Sequence, residues 1–368
     1  MFALFGMFLL AGAVEFVHSA QEPNNTSQSS SSPHAYPQTK EHSCCQLLAN
    51  DFAPHLSYSG DATYEQFLNG YWSEASKLQP DCIFTATVGQ DVALAIGLLS
   101  KSQCKFAVRG GGHTGWSGAA NTDTGITFDL SQLNETIVAS DRTSVAIGAG
   151  ARWDDVYDKL DALSLHVAGG RYPTVGVSGF ILGGGFSFFS QRYGWGCDTV
   201  ISFELVMADG TLETISASNK PDLFRALKGG SNNFGIVTAF HLKVFPGGDF
   251  LQGVVTYDAD HVTSVLTAFA ETASTPIEQY DPYSVYLLLF SWQKQADDSV
   301  TRSISNWLIH TKVSTSNTTT NTIPPFLSKL AHAAPQLNNT LAIQPLHTFL
   351  SSVASQDNPL SPVASSSI

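Results

Sequence analysis

The sequence predicts an α+β fold. Strand-like and helix-like segments are mixed along the 368 residues without the regular strand–helix–strand period of a doubly wound sheet. "ISFELVMADGTLETISAS" (201–218) alternates apolar and polar residues around the Asp209-Gly210 turn, which is typical of a β-hairpin. "ARWDDVYDKLDALSL" (151–165) predicts a helix with one apolar stripe, formed by Trp153, Val156, Tyr157, Leu160 and Leu163.

The remaining elements follow from the same two periodicities. Helices are predicted within 91–102, 221–228 and 259–273. Strands are predicted within 105–110, a short buried strand ending at glycines, and within 125–134, 144–150, 236–245, 250–258 and 283–293. The final stretch has little periodicity or apolar content, so 331–368 is predicted to be an irregular tail.

Composition limits the classes of partner. The chain is 43% hydrophobic and long enough for two ordinary domains. Its net charge is −13, and its 18 Lys and Arg residues form no cluster. Because phosphate backbones are bound by clustered basic residues, nucleic acid is not expected as a partner.

The N-terminus predicts export. Residues 1–20 are apolar, with small residues at the end, and are too short for a membrane span, so they are interpreted as a secretory signal peptide. Glu15 and the lack of an opening basic residue leave a buried N-terminal helix as the alternative. The polar, Ser-rich segment 21–43 predicts a disordered linker. Five N-glycosylation sequons support a secreted glycoprotein; they begin at Asn24, Asn25, Asn134, Asn317 and Asn338.

The cysteines predict disulfides and no metal site. They are Cys44, Cys45, Cys82, Cys104 and Cys197, with neither a CxxC nor a Cys/His zinc spacing. In a secreted protein the first four can form two disulfides, which leaves Cys197 over. The spacing leaves the connectivity open, although the vicinal pair is expected to bond elsewhere rather than internally.

Two glycine-rich loops predict a ligand site. They cover 109–118, within "FAVRGGGHTGWSGAAN", and 176–185, and a third glycine set lies at 229–235. Bare backbone lets N–H groups approach a ligand closely, most often a phosphate. Neither a P-loop nor a Rossmann fingerprint is present, so the two loops are expected to clasp a diphosphate from two sides. Tight turns in a β-rich domain are the alternative.

Three segments resemble a known family. "FAVRGGGHTGWSGAANTDTGITFDLSQLN", "YPTVGVSGFILGGGFSFFSQRYGWGCDTVISFELVMADG" and "PDLFRALKGGSNNFGIVTAF" are similar to FAD-binding segments of the vanillyl-alcohol oxidase / p-cresol methylhydroxylase superfamily. Within it, the segments most resemble the fungal branch related to berberine bridge enzyme. The resemblance runs from about Cys44 to Phe245.

The resemblance implies a domain plan. It implies a two-subdomain FAD-binding domain of the p-cresol methylhydroxylase type over 44–247. An incomplete α+β substrate domain would follow over 248–330. Nothing after residue 330 resembles the return segment that completes the FAD domain in the family, so the chain is expected to be C-terminally truncated.

The resemblance also implies the cofactor site. FAD would be held covalently through the imidazole of His113. The attachment would be single, because Tyr172 stands where many relatives have a cysteine. The implied cofactor-binding residues are Arg109, Gly110, Gly111, Gly112, His113, Thr114, Gly115, Gly118, Thr174, Gly176, Ser178, Gly179, Gly183, Ile236 and Val237.

The implied activity is that of a secreted FAD-dependent oxidase. An alcohol or C–H of a small organic substrate would give hydride to flavin N5, with O₂ as the acceptor. No catalytic base is assigned; Tyr283 and Tyr286 could face the flavin or pack in the core. The alternatives are a truncated, non-catalytic flavin-binding remnant and a carbohydrate-binding β protein without a cofactor.

Overall fold

The computed structural model describes residues 41–294, 297–313 and 322–354. The predicted signal peptide, most of the predicted linker and the sequons at Asn24, Asn25 and Asn317 lie outside the described residues. The α-helices are α1 Glu41–Phe52, α2 Ala62–Asn69, α3 Gly89–Leu99, α4 Trp153–Asp161, α5 Val177–Leu182, α6 Ser190–Tyr193, α7 Pro221–Leu227, α8 Val262–Ala273, α9 Pro325–Ala331 and α10 Leu346–Ala354. Residues 41–43, assigned to the linker from sequence, therefore begin the first helix.

The strands form four sheets. They are β1 Leu56–Ser57, β2 Cys82–Thr85, β3 Phe106–Arg109, β4 Ile126–Asp129, β5 Thr136–Val138, β6 Ser144–Gly148, β7 Leu165–His166, β8 Val200–Val206, β9 Leu212–Ser216, β10 Ile236–Lys243, β11 Phe245–Pro246, β12 Phe250–Asp258, β13 Ser284–Lys294, β14 Val300–His310, β15 Gln336–Asn339 and β16 Ala342–Gln344. Helices and strands are thus mixed without a doubly wound order, and the α+β prediction is confirmed.

The first sheet has the order β1-β2-β4-β3. Strands β2, β4 and β3 are parallel, and β1 pairs antiparallel with β2. The prediction of a buried strand before the first glycine loop is wrong in one respect. Strand β3 lies at the sheet edge, and Phe106 is 42% exposed. A short apolar run does not reveal from sequence whether its strand is central or at an edge.

The second sheet is antiparallel, with the order β5-β6-β10-β8-β9. The predicted hairpin is confirmed as β8 and β9, in which Val206 is paired with Leu212. Helix α3 packs against this sheet. Phe84 and Phe128 of the first sheet share one hydrophobic core with Phe203 and Phe240 of the second. The two sheets are therefore parts of one packed body. A two-stranded sheet pairs β11 with β7.

The last sheet has the order β13-β14-β12-β15, and β16 also pairs with β12. Helices α8 and α9 cover one face, where Val265, Leu327 and Leu330 pack with Tyr257 of β12. The strand and helix predicted over 250–273 are confirmed, as is the apolar strand after residue 283.

The predicted irregular tail is wrong for residues 336–354. Strands β15 and β16 pair with β12, and α10 packs against α4. The helix buries Leu346, Phe349, Leu350 and Val353. Their spacing of three, four and seven residues is a helical stripe that the polar composition around it conceals. Residues 355–368 lie outside the described residues.

Helix α4 ends at Asp161, so Leu163 does not extend its apolar stripe. The other four predicted stripe residues are buried, whereas Leu163 is 41% exposed.

Two disulfides fasten α1 to the first sheet. They join Cys44 to Cys104 and Cys45 to Cys82, which confirms that the vicinal pair bonds elsewhere. Cys197 is free and buried. Cys82 begins β2, and Cys104 lies two residues before β3, the strand that leads into the first glycine loop. Among the described residues, no helix has both the length and the apolarity to cross a membrane.

Candidate functional site

The two predicted glycine loops lie against each other. The first follows β3, and the second leads into α5. A β-carbon on Gly111 would lie 2.4 Å from the Cα of Gly176, and one on Gly110 would overlap the Ser178 hydroxyl. Only bare backbone permits so close an approach. The loops, 65 residues apart at Gly111 and Gly176, therefore form one unit.

The Arg152 side chain joins the first loop to the segment that enters the second. Its guanidinium donates to the carbonyl of Gly111 at 3.0 Å and to the carbonyl of Thr174 at 3.1 Å. It directly precedes α4, and its backbone forms a β-bridge with Gly176. The sequence interpretation missed Arg152, because no local pattern links it to two distant carbonyls.

The loops border a groove of about 820 Å³, within the range of small-molecule sites. The predicted residues that line it are Gly110, Gly111, Gly112, His113, Thr114, Gly118, Gly176, Ser178, Gly179, Ile236 and Val237. Further lining residues come from other segments, among them Phe106–Val108, Val206–Ala208 and Ser231–Gly235. The third glycine set thus reaches the groove through Gly235. None of the described lining residues is Lys or Arg.

The other predicted residues lie outside the lining. Thr174 accepts the bond from Arg152, and Gly183 follows the end of α5. A β-carbon on Gly115 would lie 3.9 Å from the Trp72 ring.

The Arg109 side chain packs beside the first loop at Gly112. Its guanidinium lies 4.3 Å from the ring centroid of Phe67 and 4.4 Å from that of Tyr71. It also donates to the Phe67 carbonyl at 2.8 Å. A β-carbon on Gly112 would lie 2.7 Å from its Nε. The guanidinium is therefore held by contacts within the protein, although its Nε has no hydrogen-bond partner among the described residues.

His113 lies between two aromatic rings on the groove wall. The Trp72 ring stacks on the imidazole at 4.9 Å with an interplanar angle of 17°, and the Tyr172 ring is tilted at 5.9 Å. Its Nε2 is buried and has no hydrogen-bond partner among the described residues. Burial, and then the charge of Arg152, lower the pKa of His113 below its ordinary value of 6.5. The imidazole is therefore uncharged and potentially nucleophilic at neutral pH.

The groove fits a dinucleotide with a phosphate bridge. At Gly118 and Gly179, a β-carbon would meet nothing within 4 Å, so the backbone there borders open space. Such backbone can approach a diphosphate closely. His113 lines the groove, and its Nε2 is a buried polar atom without a hydrogen-bond partner among the described residues. The loop backbone and His113 are therefore suited to binding FAD.

The candidate tyrosines lie away from the groove lining. Tyr286 packs edge-to-face on Phe269 at 5.3 Å, and Tyr283 lies 4.5 Å from the guanidinium of Arg192. Cys197 is also absent from the lining. Over the described part of the chain, no group of His, Cys, Asp or Glu has the arrangement of a metal site.

Comparison with known sequences identifies the domain. Residues 80–216 match the model of a family described as an FAD binding domain. An FAD-dependent monooxygenase of Emericella nidulans, sdcF, is 35% identical over 274 residues, covering 72% of this chain and 57% of the relative. The monooxygenase tpcD of Cochliobolus heterostrophus is 40% identical over 244 residues, covering 63% and 47%. The chain thus spans about half the length of the curated relatives it matches.

Solved structures share the fold. 6-Hydroxy-D-nicotine oxidase from Arthrobacter nicotinovorans superposes with a TM-score of 0.68 at 22% identity, covering 82% of this chain and 64% of that one. Berberine bridge enzyme from Eschscholzia californica gives a TM-score of 0.63 at 22% identity, covering 73% and 55%. Residues 80–216 therefore match an FAD-binding domain, and the chain shares the fold of these flavin-dependent enzymes.

Proposed function

We propose that the protein is a secreted oxidase that carries FAD on a single covalent bond to His113. The observation that carries this proposal is the imidazole itself. It lies on the wall of a groove bordered by both glycine loops, and its Nε2 is buried without a partner among the described residues.

The protein's own groups hold and orient the cofactor. Backbone N–H groups of the two loops bind the diphosphate. Arg152 fixes the first loop to the segment that enters the second by bonding to the carbonyls of Gly111 and Thr174. Ile236 and Val237 supply an apolar wall at the start of β10. When bound, FAD supplies the oxidation, taking hydride at N5 from an alcohol or C–H carbon and passing two electrons to O₂.

The uncharged imidazole suits covalent attachment. A bond between a ring nitrogen and the 8α carbon would replace one methyl C–H bond. The methyl proton and the imidazole N–H proton would pass to water, and the electron pair left in the flavin would be accepted by O₂. A protonated imidazole has no free lone pair for this bond, so the lowered pKa of His113 favours it. Tyr172 lies beside His113 and carries no thiol, which supports a single attachment.

Export is supported by the cysteines and by two sequons. The protein has two disulfides, and disulfides form and persist in oxidising compartments. Asn134 and Asn338 are exposed, as glycosylation requires. The signal peptide remains a prediction.

A monooxygenase is the second candidate, because the relatives at 35% and 40% identity are named FAD-dependent monooxygenases. The two activities differ in where oxygen goes. An oxidase releases H₂O₂ and leaves no oxygen from O₂ in the product, whereas a monooxygenase transfers one atom. Turnover of small phenols and alcohols under isotope-labelled O₂ distinguishes them, and no turnover by flavin-loaded protein favours the non-catalytic alternative.

The cofactor proposal is tested by acid precipitation of purified protein. We expect the wild type to be yellow and to retain flavin in the precipitate. His113→Ala should bind FAD that is released completely by acid. Acid-stable flavin in that variant would overturn the assignment of His113.

A further inference from the structure

We propose that residues 71–78, which we call the brace, orient His113 for attachment to the flavin, with Trp72 as the positioning residue. The inference rests on the proposed covalent attachment and deepens it. The brace follows α2 and precedes the matched FAD-binding domain, which begins at residue 80. It is therefore an element of the site that the family match does not include.

The brace bonds to the loop on both sides of His113. The backbone N–H of Trp72 donates to the carbonyl of Gly112 at 3.1 Å. The hydroxyl of Ser76 donates to the carbonyl of Thr114 at 2.8 Å. The two residues that flank His113 are thus each fixed to the same short segment.

The brace is itself anchored to residues that directly follow the first loop. The Tyr71 hydroxyl donates to the carbonyl of Ala120 at 2.7 Å. The Asn121 side-chain amide donates to the carbonyls of Ser76 and Leu78, at 3.0 and 2.8 Å. Tyr71, Ser76 and Asn121 are at least 95% buried, which protects these bonds from competing water. The brace can therefore serve as a rigid support.

The Trp72 ring restrains His113 without occupying a nitrogen. It stacks face to face on the imidazole, so the contact involves the ring plane and not the ring edge that carries both nitrogens. A hydrogen bond would have fixed the ring as well, but it would have used a lone pair or an N–H. This arrangement explains how His113 is held although its Nε2 has no partner among the described residues.

The exposure of Trp72 argues against a role in the core. Trp72 is 42% exposed, whereas Trp153 is fully buried in the main core. Removing the indole should therefore leave the fold intact and change mainly the orientation of His113.

The test is a time course of FAD attachment to protein purified without flavin from riboflavin-starved cells. Total bound flavin and acid-stable flavin are measured at several FAD concentrations. Trp72→Ala should lower the maximal rate of acid-stable incorporation about two- to tenfold, the factor that corresponds to one aromatic pair. The FAD concentration for half-maximal rate should not change, because Trp72 is absent from the groove lining.

Two variants serve as matched controls. Trp72→Phe keeps a stacking ring and should restore most of the rate. Trp292→Ala removes a tryptophan that is 66% exposed on β13 and should match the wild type.

Each other outcome overturns the proposal in a distinct way. An unchanged rate in Trp72→Ala contradicts positioning by the indole. An equal loss of total and acid-stable flavin means that Trp72 supports the fold or FAD binding instead. Wild-type protein that binds FAD but never gains acid-stable flavin removes the covalent attachment, and the role of the brace with it.

Discussion

Gly111 and Gly176 are in direct backbone contact, and a β-carbon on either residue would lie within 2.6 Å of the other residue's backbone. This contact joins a loop that follows a parallel strand to a loop that begins a helix. The groove therefore depends on two segments being seated against each other, and not on either loop alone.

Replacing Gly111 with Ala should abolish FAD binding, because the added carbon forces the two loops apart. Gly97→Ala is the matched control, since Gly97 lies in α3 and a β-carbon there has its nearest neighbour at 4.0 Å. Arg171→Ala should lose less FAD than Gly111→Ala, because Arg171 does not line the groove. Equilibrium titration with FAD measures all three, and a larger loss in Arg171→Ala would contradict the backbone-held diphosphate.

Arg152→Gln should weaken FAD binding about tenfold or more. Each bond from the guanidinium to a carbonyl is a charged one, worth ~1.5–3 kcal/mol, and the two bonds join the first loop to the segment that enters the second. Arg152→Lys should be intermediate, since one ammonium cannot reproduce the planar fork. Dissociation constants measured for dissociable FAD in a His113→Ala background separate this effect from covalent attachment. Equal affinities with and without the Arg152→Gln substitution in that background would show that the bonds from Arg152 are not needed.

The rate of covalent attachment should depend on pH in one direction. Burial and Arg152 lower the pKa of His113, so less than half of the imidazole is protonated at pH 6.5, its ordinary value. The rate should thus fall as the pH is lowered and should reach half of its maximal value only below about pH 6.5. In Arg152→Gln the fall should begin at higher pH than in the wild type. A rate that falls to half of its maximal value at pH 6.5 or above would contradict the lowered pKa of His113.

The same pKa shift has a consequence for stability. His113 takes up a proton at higher pH in the unfolded chain than in the folded protein. Its protonation therefore lowers the free energy of unfolding as the pH falls below about 6.5.

Removing either disulfide should destabilise the FAD-binding domain. The bonds close loops with sequence separations of 60 and 37, for which the chain-entropy model gives about 4 kcal/mol each. We expect a Cys45→Ala, Cys82→Ala double variant to show this loss in urea unfolding. Cys197→Ala, which removes a free buried thiol, is the comparison and should lose much less. Similar losses in the two would show that the disulfides add nothing beyond packing.

The features that sequence predicted correctly are those carried by neighbouring residues. The turn at Asp209-Gly210 specifies its hairpin locally, and glycine runs reveal their loops without tertiary information. The sequence also placed His113 beside the glycines, and the structure brings most of the predicted residues to one groove.

The features that sequence missed arise from tertiary contacts. Arg152 and Trp72 reach the first loop from 41 and 40 residues away, and neither belongs to a recognisable pattern. Helix α10 was missed for a different reason: its apolar stripe is short and lies in a polar segment. The exposed position of Phe106 depends on strand order, which a single strand does not encode.

The most direct test of the account is peptide mass spectrometry of the FAD-saturated, acid-precipitated protein. The account predicts one flavin adduct, on the peptide that contains His113, with the Tyr172 and Cys197 peptides unmodified. FAD-saturated protein without any adduct, or with an adduct on the Cys197 peptide, would contradict it.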